Sequence, residues 1–284
     1  KIDRVIAKKK PKIIFHLAAQ SIVSESFLNP LNTFNSNVVG SVNVMESFRK
    51  NKISSLVYIT SDKCYLNLDK NKNFKESDTL GGIDNYSASK ACAEMAFYSY
   101  HNSYFKNKPK LVAVTARAGN VIGGGDLKKN RIIPDIYKSL KNKKKIILRS
   151  PNSTRPWQHV LEPLSGYLLL GEKLMNRKIN NKISPNWNFG PNPKNSKKVI
   201  YMVKKFLKNW SFKKKIIDIK KNNYHESKLL SLNINKAKTE LSWKPRLTLE
   251  ETIRLTSDWY KAILDNKNLE KVTHEQIKFY LSKK

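Results

Sequence analysis

At 284 residues and 39% hydrophobic content, the chain is long enough for one large domain or two small ones around a real core. A formal net charge of +33 would ordinarily point to nucleic acid or an anionic membrane, yet only nine of the 55 basic residues are Arg and the Lys excess is dispersed. The basic runs Lys8-Lys9-Lys10, Lys143-Lys144-Lys145 and Lys213-Lys214-Lys215 carry no aromatic interleaving and no binding motif, which argues against a specific nucleic-acid partner and leaves loose phosphate affinity.

No run approaches the roughly 18 to 20 apolar residues of a spanning helix, and the stretch from Lys1 has no apolar block with a cleavage site. The two cysteines, Cys64 and Cys92, stand in unrelated contexts, without metal-ligand spacing. These features predict a cytoplasmic protein with reduced thiols, no bound metal and no membrane partner.

Along the chain, the apolar run Ile13-Ile14-Phe15-His16-Leu17 reads as a buried parallel strand running into a loop of small residues. Apolar residues at Val38, Val42, Met45 and Phe48 predict a helix over 37–50, and Leu56-Val57-Tyr58-Ile59-Thr60 a second strand. Residues 86–105 read as a long helix and Leu111-Val112-Ala113-Val114 as a third strand. Strand, helix, strand, helix, strand predicts an α/β fold, a doubly wound parallel sheet covered by helices. Beyond about residue 125, Pro134, Pro151, Pro156, Pro163, Pro185, Pro191 and Pro193 predict shorter elements, with a last helix from Leu249 to about Leu264. The organisation expected is therefore 1–125 for the catalytic part and 126–284 for a smaller α+β substrate-binding region interleaved with it.

The sharpest local pattern is Tyr86-Ser87-Ala88-Ser89-Lys90, where Tyr and Lys lie four apart on one helix face. A cation held there favours the phenolate, so the pair suits proton abstraction; an amphipathic helix with one exposed Lys gives the same spacing. Thr60-Ser61-Asp62-Lys63-Cys64-Tyr65 follows directly on a strand, where open α/β sheets collect catalytic groups. Ser61 can bond a sugar hydroxyl and Asp62 and Lys63 set an acid beside a base; a capped turn would use the same Ser and Asp.

His16-Leu17-Ala18-Ala19-Gln20, Thr60-Ser61-Asp62-Lys63, the Tyr86/Lys90 pair and Ala116-Arg117-Ala118-Gly119-Asn120-Val121-Ile122-Gly123-Gly124-Gly125-Asp126 resemble the consecutive blocks of an extended short-chain dehydrogenase/reductase acting on a nucleotide sugar. Arg155-Pro156-Trp157-Gln158-His159-Val160 and Leu161-Glu162-Pro163-Leu164-Ser165-Gly166-Tyr167 narrow the resemblance to the CDP-glucose 4,6-dehydratases, over about residues 13–260. The related dTDP-glucose dehydratases usually carry Asp-Glu where this sequence has Asp62-Lys63.

That resemblance implies a Rossmann-type fold, NAD as cofactor and CDP-glucose or a related nucleotide sugar as substrate. It implies that Tyr86, assisted by Lys90, takes the proton of the sugar 4-hydroxyl with Ser61 on the same oxygen, that Lys63 handles the C5 proton, and that Asp62 protonates the departing 6-hydroxyl. A lysine base must be kept neutral by desolvation or neighbouring charge. Leu17, Ala18, Ala19 and Thr60, with Tyr86 and Lys90, would line the cofactor, while Gln20, Asn120, Arg131, Arg155 and Gln158 would contact the sugar nucleotide. Trp157 could line the same pocket; His159 is equally a structural or a catalytic histidine, and Gly123-Gly124-Gly125 a phosphate-side loop or a turn. The family's first strand, glycine-rich turn and acidic ribose ligand have no counterpart before Ile13, so the expectation is an N-terminally truncated sequence lacking roughly 60 residues, at about 30 per strand-helix-strand unit, with NAD binding and activity of this chain in doubt. A homodimer or higher homo-oligomer is expected, through helices near 37–50 and 86–105. The competing readings are another nucleotide-sugar dehydratase or epimerase, acting on dTDP-glucose or a UDP-sugar, and an inactive nucleotide-sugar-binding fragment.

Overall fold

Four apolar segments, Ile13–His16 (β1), Ser55–Ile59 (β2), Val112–Ala118 (β3) and Asn186–Phe189 (β4), hydrogen-bond side by side in the order β1-β2-β3-β4. All three pairings are parallel, with Ile14 opposite Leu56, Leu56 opposite Ala113 and Thr115 opposite Asn186. The computed structural model describes residues 1–68, 72–180, 183–210, 217–219 and 230–283, so the Lys213-Lys214-Lys215 run lies outside the described residues.

Parallel strands need crossovers, and here helices supply them on both faces of the sheet. Leu56, Tyr58 and Ala113 point to one face, where they pack with Val44, Met45 and Phe48 of helix α1 (Gly40–Lys50) and with Ala93 and Phe97 of helix α2 (Asn85–Tyr100). Val57, Val112, Val114 and Ala116 point to the other, against Tyr167, Leu170 and Leu174 of helix α3 (Leu161–Met175) and Ala237 and Leu241 of the helix Asn235–Leu241. Phe48, Leu56 and Phe97 are fully buried, each contributing about 1.5–3 kcal/mol of transfer free energy. This is the doubly wound α/β plan.

The chain forms two compact units. The first comprises Lys1–Gly119, Leu164–Phe189 and Leu232–Trp243; the second comprises Asn120–Pro163, Gly190–Ser231 and Lys244–Lys284. The second unit is α+β: Val121–Ile122 pairs parallel with Gln158–His159, and Ser196–Lys198 pairs antiparallel with Thr154–Pro156. Its core joins Ile133, Ile136 and Tyr137 to Met202, Phe206, Ile253, Trp259 and Tyr260.

Several boundaries differ from the sequence expectation. The helical run before Lys50 starts at Pro30 and passes through a π-turn at Asn35–Val39. The third strand extends to Ala118, because Thr115 and Arg117 are buried with polar partners that an apolar pattern does not register. Pro134 and Pro163 lie in the first turns of the helices Ile132–Lys141 and Leu161–Met175, where a missing N–H costs nothing, so these prolines open helices. The helix Leu249–Leu264, closed at its start by a Thr248/Glu251 capping box, is followed by another, Leu269–Ser282. Among the described residues no helix is long and apolar enough to cross a membrane, and no group of three or more His, Cys, Asp or Glu could hold a metal ion.

Candidate active site

In the first unit, β2 ends at Ile59 and the backbone turns at once into a 3-10 turn, Asp62–Cys64, whose N-cap is Ser61. Ser61 Oγ accepts from the Lys63 amide at 3.2 Å and donates to Asp62 Oδ1 at 2.9 Å. The capped turn and the polar cluster are therefore the same object. Ser61 and Asp62 are buried, at 6% and 3% exposure, while Lys63 is half-buried. Room for the Asp62 carboxylate comes from Gly119 at the end of β3, where any Cβ would overlap the carboxylate atoms.

Helix α2 packs against this turn and carries Tyr86 and Lys90 in its first half. Its start is fixed by Asp84, which accepts from the Ser87 amide at 2.9 Å and from Ser87 Oγ at 2.6 Å. Tyr86 is 8% exposed and Lys90 4%. Burial lowers the Lys90 ammonium to about 8, against the opposing pull of Cys64 and Glu94, so the desolvated lysine of the site is Lys90. Near it, at the end of β1, burial first and the Lys90 charge second push His16 down to about 4. His16 Nε2 lies 3.3 Å from Ser41 Oγ, which accepts from Tyr58 Oη at 2.8 Å and donates to the Asn37 carbonyl at 2.7 Å.

Beyond His16, Leu17, Ala18 and Ala19 are exposed at the carboxyl edge of the sheet. Gln20 is used internally: its amide nitrogen donates to Thr33 Oγ1 and the Ile22 carbonyl, its amide oxygen accepts from the Ile22 amide, and Asn37 clasps its backbone. The geometry thus gives Gln20 a loop-shaping role. Thr60 Oγ1 donates inward to Glu94 Oε1.

Glu94 is a site residue that the sequence reading did not single out, although it extends the Tyr86, Lys90 spacing by one more turn. It is 1% exposed and forms a two-pronged ion pair with Arg117 of β3, Nε to Oε1 and Nη2 to Oε2, both at 2.8 Å. Burial would raise the Glu94 carboxyl, but the Arg117 charge and the hydrogen bonds from Arg117, Thr60 and Thr115 hold it below the ordinary carboxylate range.

In the second unit, Asn120 adopts the left-handed conformation, φ 53°, and its carbonyl accepts from the Gln158 amide at 3.3 Å. Gln158 and Arg155 are buried, at 1% and 6% exposure, and Arg155 Nη1 donates to the Thr154 carbonyl. Arg131, at the start of the helix Ile132–Lys141, is half-exposed and pairs with Asp126 at 2.7 Å. Asn120 and Gln158 thus meet at the Val121–Ile122 and Gln158–His159 strands, Arg155 lies in the strand Thr154–Pro156 opposite Lys197, and Arg131 pairs with Asp126. Trp157 is buried, with Nε1 donating to the Lys197 carbonyl. Of the three consecutive glycines, Gly123 abuts Val160, Gly124 lies flat on the Trp259 ring, and only Gly125 has positive φ, 87°. That loop is shaped by packing and one turn.

His159 is 1% exposed, its Nδ1 accepts from the Leu161 amide at 3.3 Å, and burial pushes it down to about 4. His16 and His159 therefore bind protons more weakly folded than unfolded, where a histidine titrates near 6.5. Their contribution is present above pH ~6.5 and is lost as pH falls towards 4, about 3 kcal/mol each at the limit. The melting temperature should fall over that window, and His16→Asn and His159→Gln should each flatten the fall; curves parallel to the parent's would refute the assignment.

Comparison with known proteins adds three findings. A family model described as GDP-mannose 4,6 dehydratase matches residues 1–256. The chain is 39% identical over 287 residues to the CDP-glucose 4,6-dehydratase of Salmonella typhimurium, covering 99% of this chain and 79% of that one. Among solved structures it superposes on the dTDP-glucose 4,6-dehydratase of Bacillus anthracis in complex with NAD (TM-score 0.77, 24% identity, 94% and 77% covered). It also superposes on the UDP-glucose 4-epimerase of Thermotoga maritima with UDP-glucose (TM-score 0.81, 21% identity, 93% and 81% covered).

Proposed function

We propose that this chain, which belongs to the GDP-mannose 4,6-dehydratase family of nucleotide-sugar enzymes, removes water from CDP-glucose to give CDP-4-keto-6-deoxyglucose with NAD as recycled cofactor. The observation that carries the reaction is the packing of the Asp62–Cys64 turn against the helix of Tyr86 and Lys90, which sets an acid, a base and a desolvated cation at one sheet edge.

The residues present fit the nicotinamide-ribose part of NAD: Leu17, Ala18 and Ala19 leave the backbone approachable beside buried Lys90, and Thr60 backs the same edge. When bound, the cofactor accepts a hydride from sugar C4 and returns it to C6. Tyr86, held as the phenolate by the neighbouring Lys90 ammonium, takes the 4-hydroxyl proton at Oη and becomes the neutral phenol. Ser61 Oγ, held by the Lys63 amide, turns its single hydroxyl hydrogen from Asp62 Oδ1 to the same sugar oxygen when substrate is in place. Once C4 is a ketone, the C5 proton is acidic; Lys63 removes it while Asp62, carrying a proton, gives it to the 6-hydroxyl as water leaves, and the proton held by Lys63 returns to C5 as C6 is reduced. Asn120, Arg131, Arg155 and Gln158 are the nucleotide contacts that the resemblance implies, Arg suiting a diphosphate through its paired donors.

A homodimer accompanies this reading: Val39, Met95 and Tyr98 are 51%, 60% and 66% exposed on the helical layer that covers one sheet face. The test is to express the full reading frame, incubate it with CDP-glucose and NAD, and analyse products and mass. A 4-keto-6-deoxy product from a particle twice the chain mass is expected. Bound cofactor without turnover of CDP-glucose, but with turnover of a dTDP- or UDP-sugar, would reassign the substrate.

A further inference from the structure

The turn that bears Ser61, Asp62 and Lys63 is held at both ends by one buried ion pair. At its start, Thr60 Oγ1 donates to Glu94 Oε1; at its end, Tyr65 Oη accepts from Arg117 Nη1 at 2.7 Å. Glu94 itself rides on α2, one turn beyond Lys90 and two beyond Tyr86. Its second oxygen takes Arg117 Nη2 at 2.8 Å, Thr115 Oγ1 at 3.1 Å and Asn186 Nδ2 at 3.2 Å, so the carboxylate is fully satisfied. Tyr65 Oη in turn donates to Asn188 Oδ1 at 2.8 Å. The pair thereby ties the helix carrying Tyr86 and Lys90 to the turn carrying Asp62 and Lys63, through β3 and β4.

Stability does not explain it. Burying two charges costs several kcal/mol per ion before their attraction offsets it, and apolar residues of the same volume are commonly as stable or more so. What a fully bonded, planar pair supplies is a fixed position for everything attached to it. Resting on the dehydration reading above, we propose that Glu94 and Arg117 are positioning residues that set the register between the oxidation group (Tyr86, Lys90) and the elimination group (Asp62, Lys63), so that the ketone formed by one is dehydrated by the other.

The discriminating variant is the double replacement Glu94→Leu with Arg117→Met, which removes both charges and leaves none unpaired. It is expected to fold, with a melting temperature near the parent's, and to oxidise C4. Its dehydration should fall by about 10²-fold, the effect of roughly 1 Å of misplacement. Quenched reactions should then contain the 4-keto, 6-hydroxy sugar nucleotide, two hydrogens lighter than substrate, which the parent does not accumulate. A folded double variant that dehydrates at the parent rate, or in which oxidation and dehydration fall together, overturns the proposal. Should the double variant fail to fold, Tyr65→Phe removes the Arg117 bond to the end of the turn, together with the Asn188 bond, leaves the Glu94–Arg117 pair in place, and is read by the same accumulation. A parent enzyme that never dehydrates CDP-glucose would instead sink the functional reading itself.

Discussion

Replacing Tyr86 by phenylalanine should lower turnover of CDP-glucose by about 10²–10⁴-fold, the range a positioned general base contributes. The ring stays, at a position 8% exposed within α2, and the Asp84 cap on Ser87 is untouched, so the helix keeps its start. The lost hydroxyl should cost about 1 kcal/mol of stability, and the melting temperature is the control that separates lost chemistry from lost fold. Turnover within tenfold of the parent in a folded Tyr86→Phe protein would remove the base from Tyr86. The parent's pH profile carries the companion signature. Because burial brings Lys90 down to about 8, the cation beside Tyr86 is lost as pH rises through that value, and activity should decline on the alkaline side. The Lys90 share of stability moves the opposite way: a lysine whose folded value lies below 10.5 gains stability from pH 8 to 10.5. Activity falling while that contribution grows is not what simple alkaline unfolding produces.

The second large effect is expected at Gly119. Its φ is not in the left-handed region, so alanine fits the backbone, and the whole conflict is between the new Cβ and the Asp62 carboxylate. That carboxylate is 3% exposed and bonded to Ser61 Oγ, so it can yield only by leaving Ser61. Gly119→Ala should therefore lower the dehydration rate by about 10²-fold with little change in stability. In an Asp62→Ala background the same substitution should cost almost nothing, because the group it displaces is already gone. Additive losses in the double variant would mean that Gly119 acts through something other than Asp62.

What could be read from the sequence followed the strength of the local signal. The strands Ile13–His16 and Ser55–Ile59 were legible as apolar runs, and Tyr86 and Lys90 were legible because four-residue spacing means one helix face. Strand Asn186–Phe189 was not: Asn186 and Asn188 face buried partners, Glu94 and Tyr65, and a rule that looks for apolar residues in a buried strand passes over them. Helix Val199–Lys208 hides its buried Met202, Val203 and Phe206 among lysines, and Pro163 disguises the start of Leu161–Met175. Glu94, Arg117 and the empty place at Gly119 acquire meaning only from neighbours 23, 52 or more positions away, which no local pattern encodes.

The two units alternate along the chain, so the first is not completed before the second begins. The chain leaves the first unit after Gly119, returns at Leu164, leaves after Phe189 and returns again at Leu232. Strand β4, which supplies Asn186 to Glu94 and Asn188 to Tyr65, thus emerges from the ribosome long after the strands it joins. A nascent chain stopped near residue 125 holds the Glu94 and Arg117 charges without the last of their partners and lacks an outer strand of its sheet. Assembly of the catalytic edge is therefore a late event in synthesis, and recombination at a single crossover point cannot move this unit intact from one gene to another.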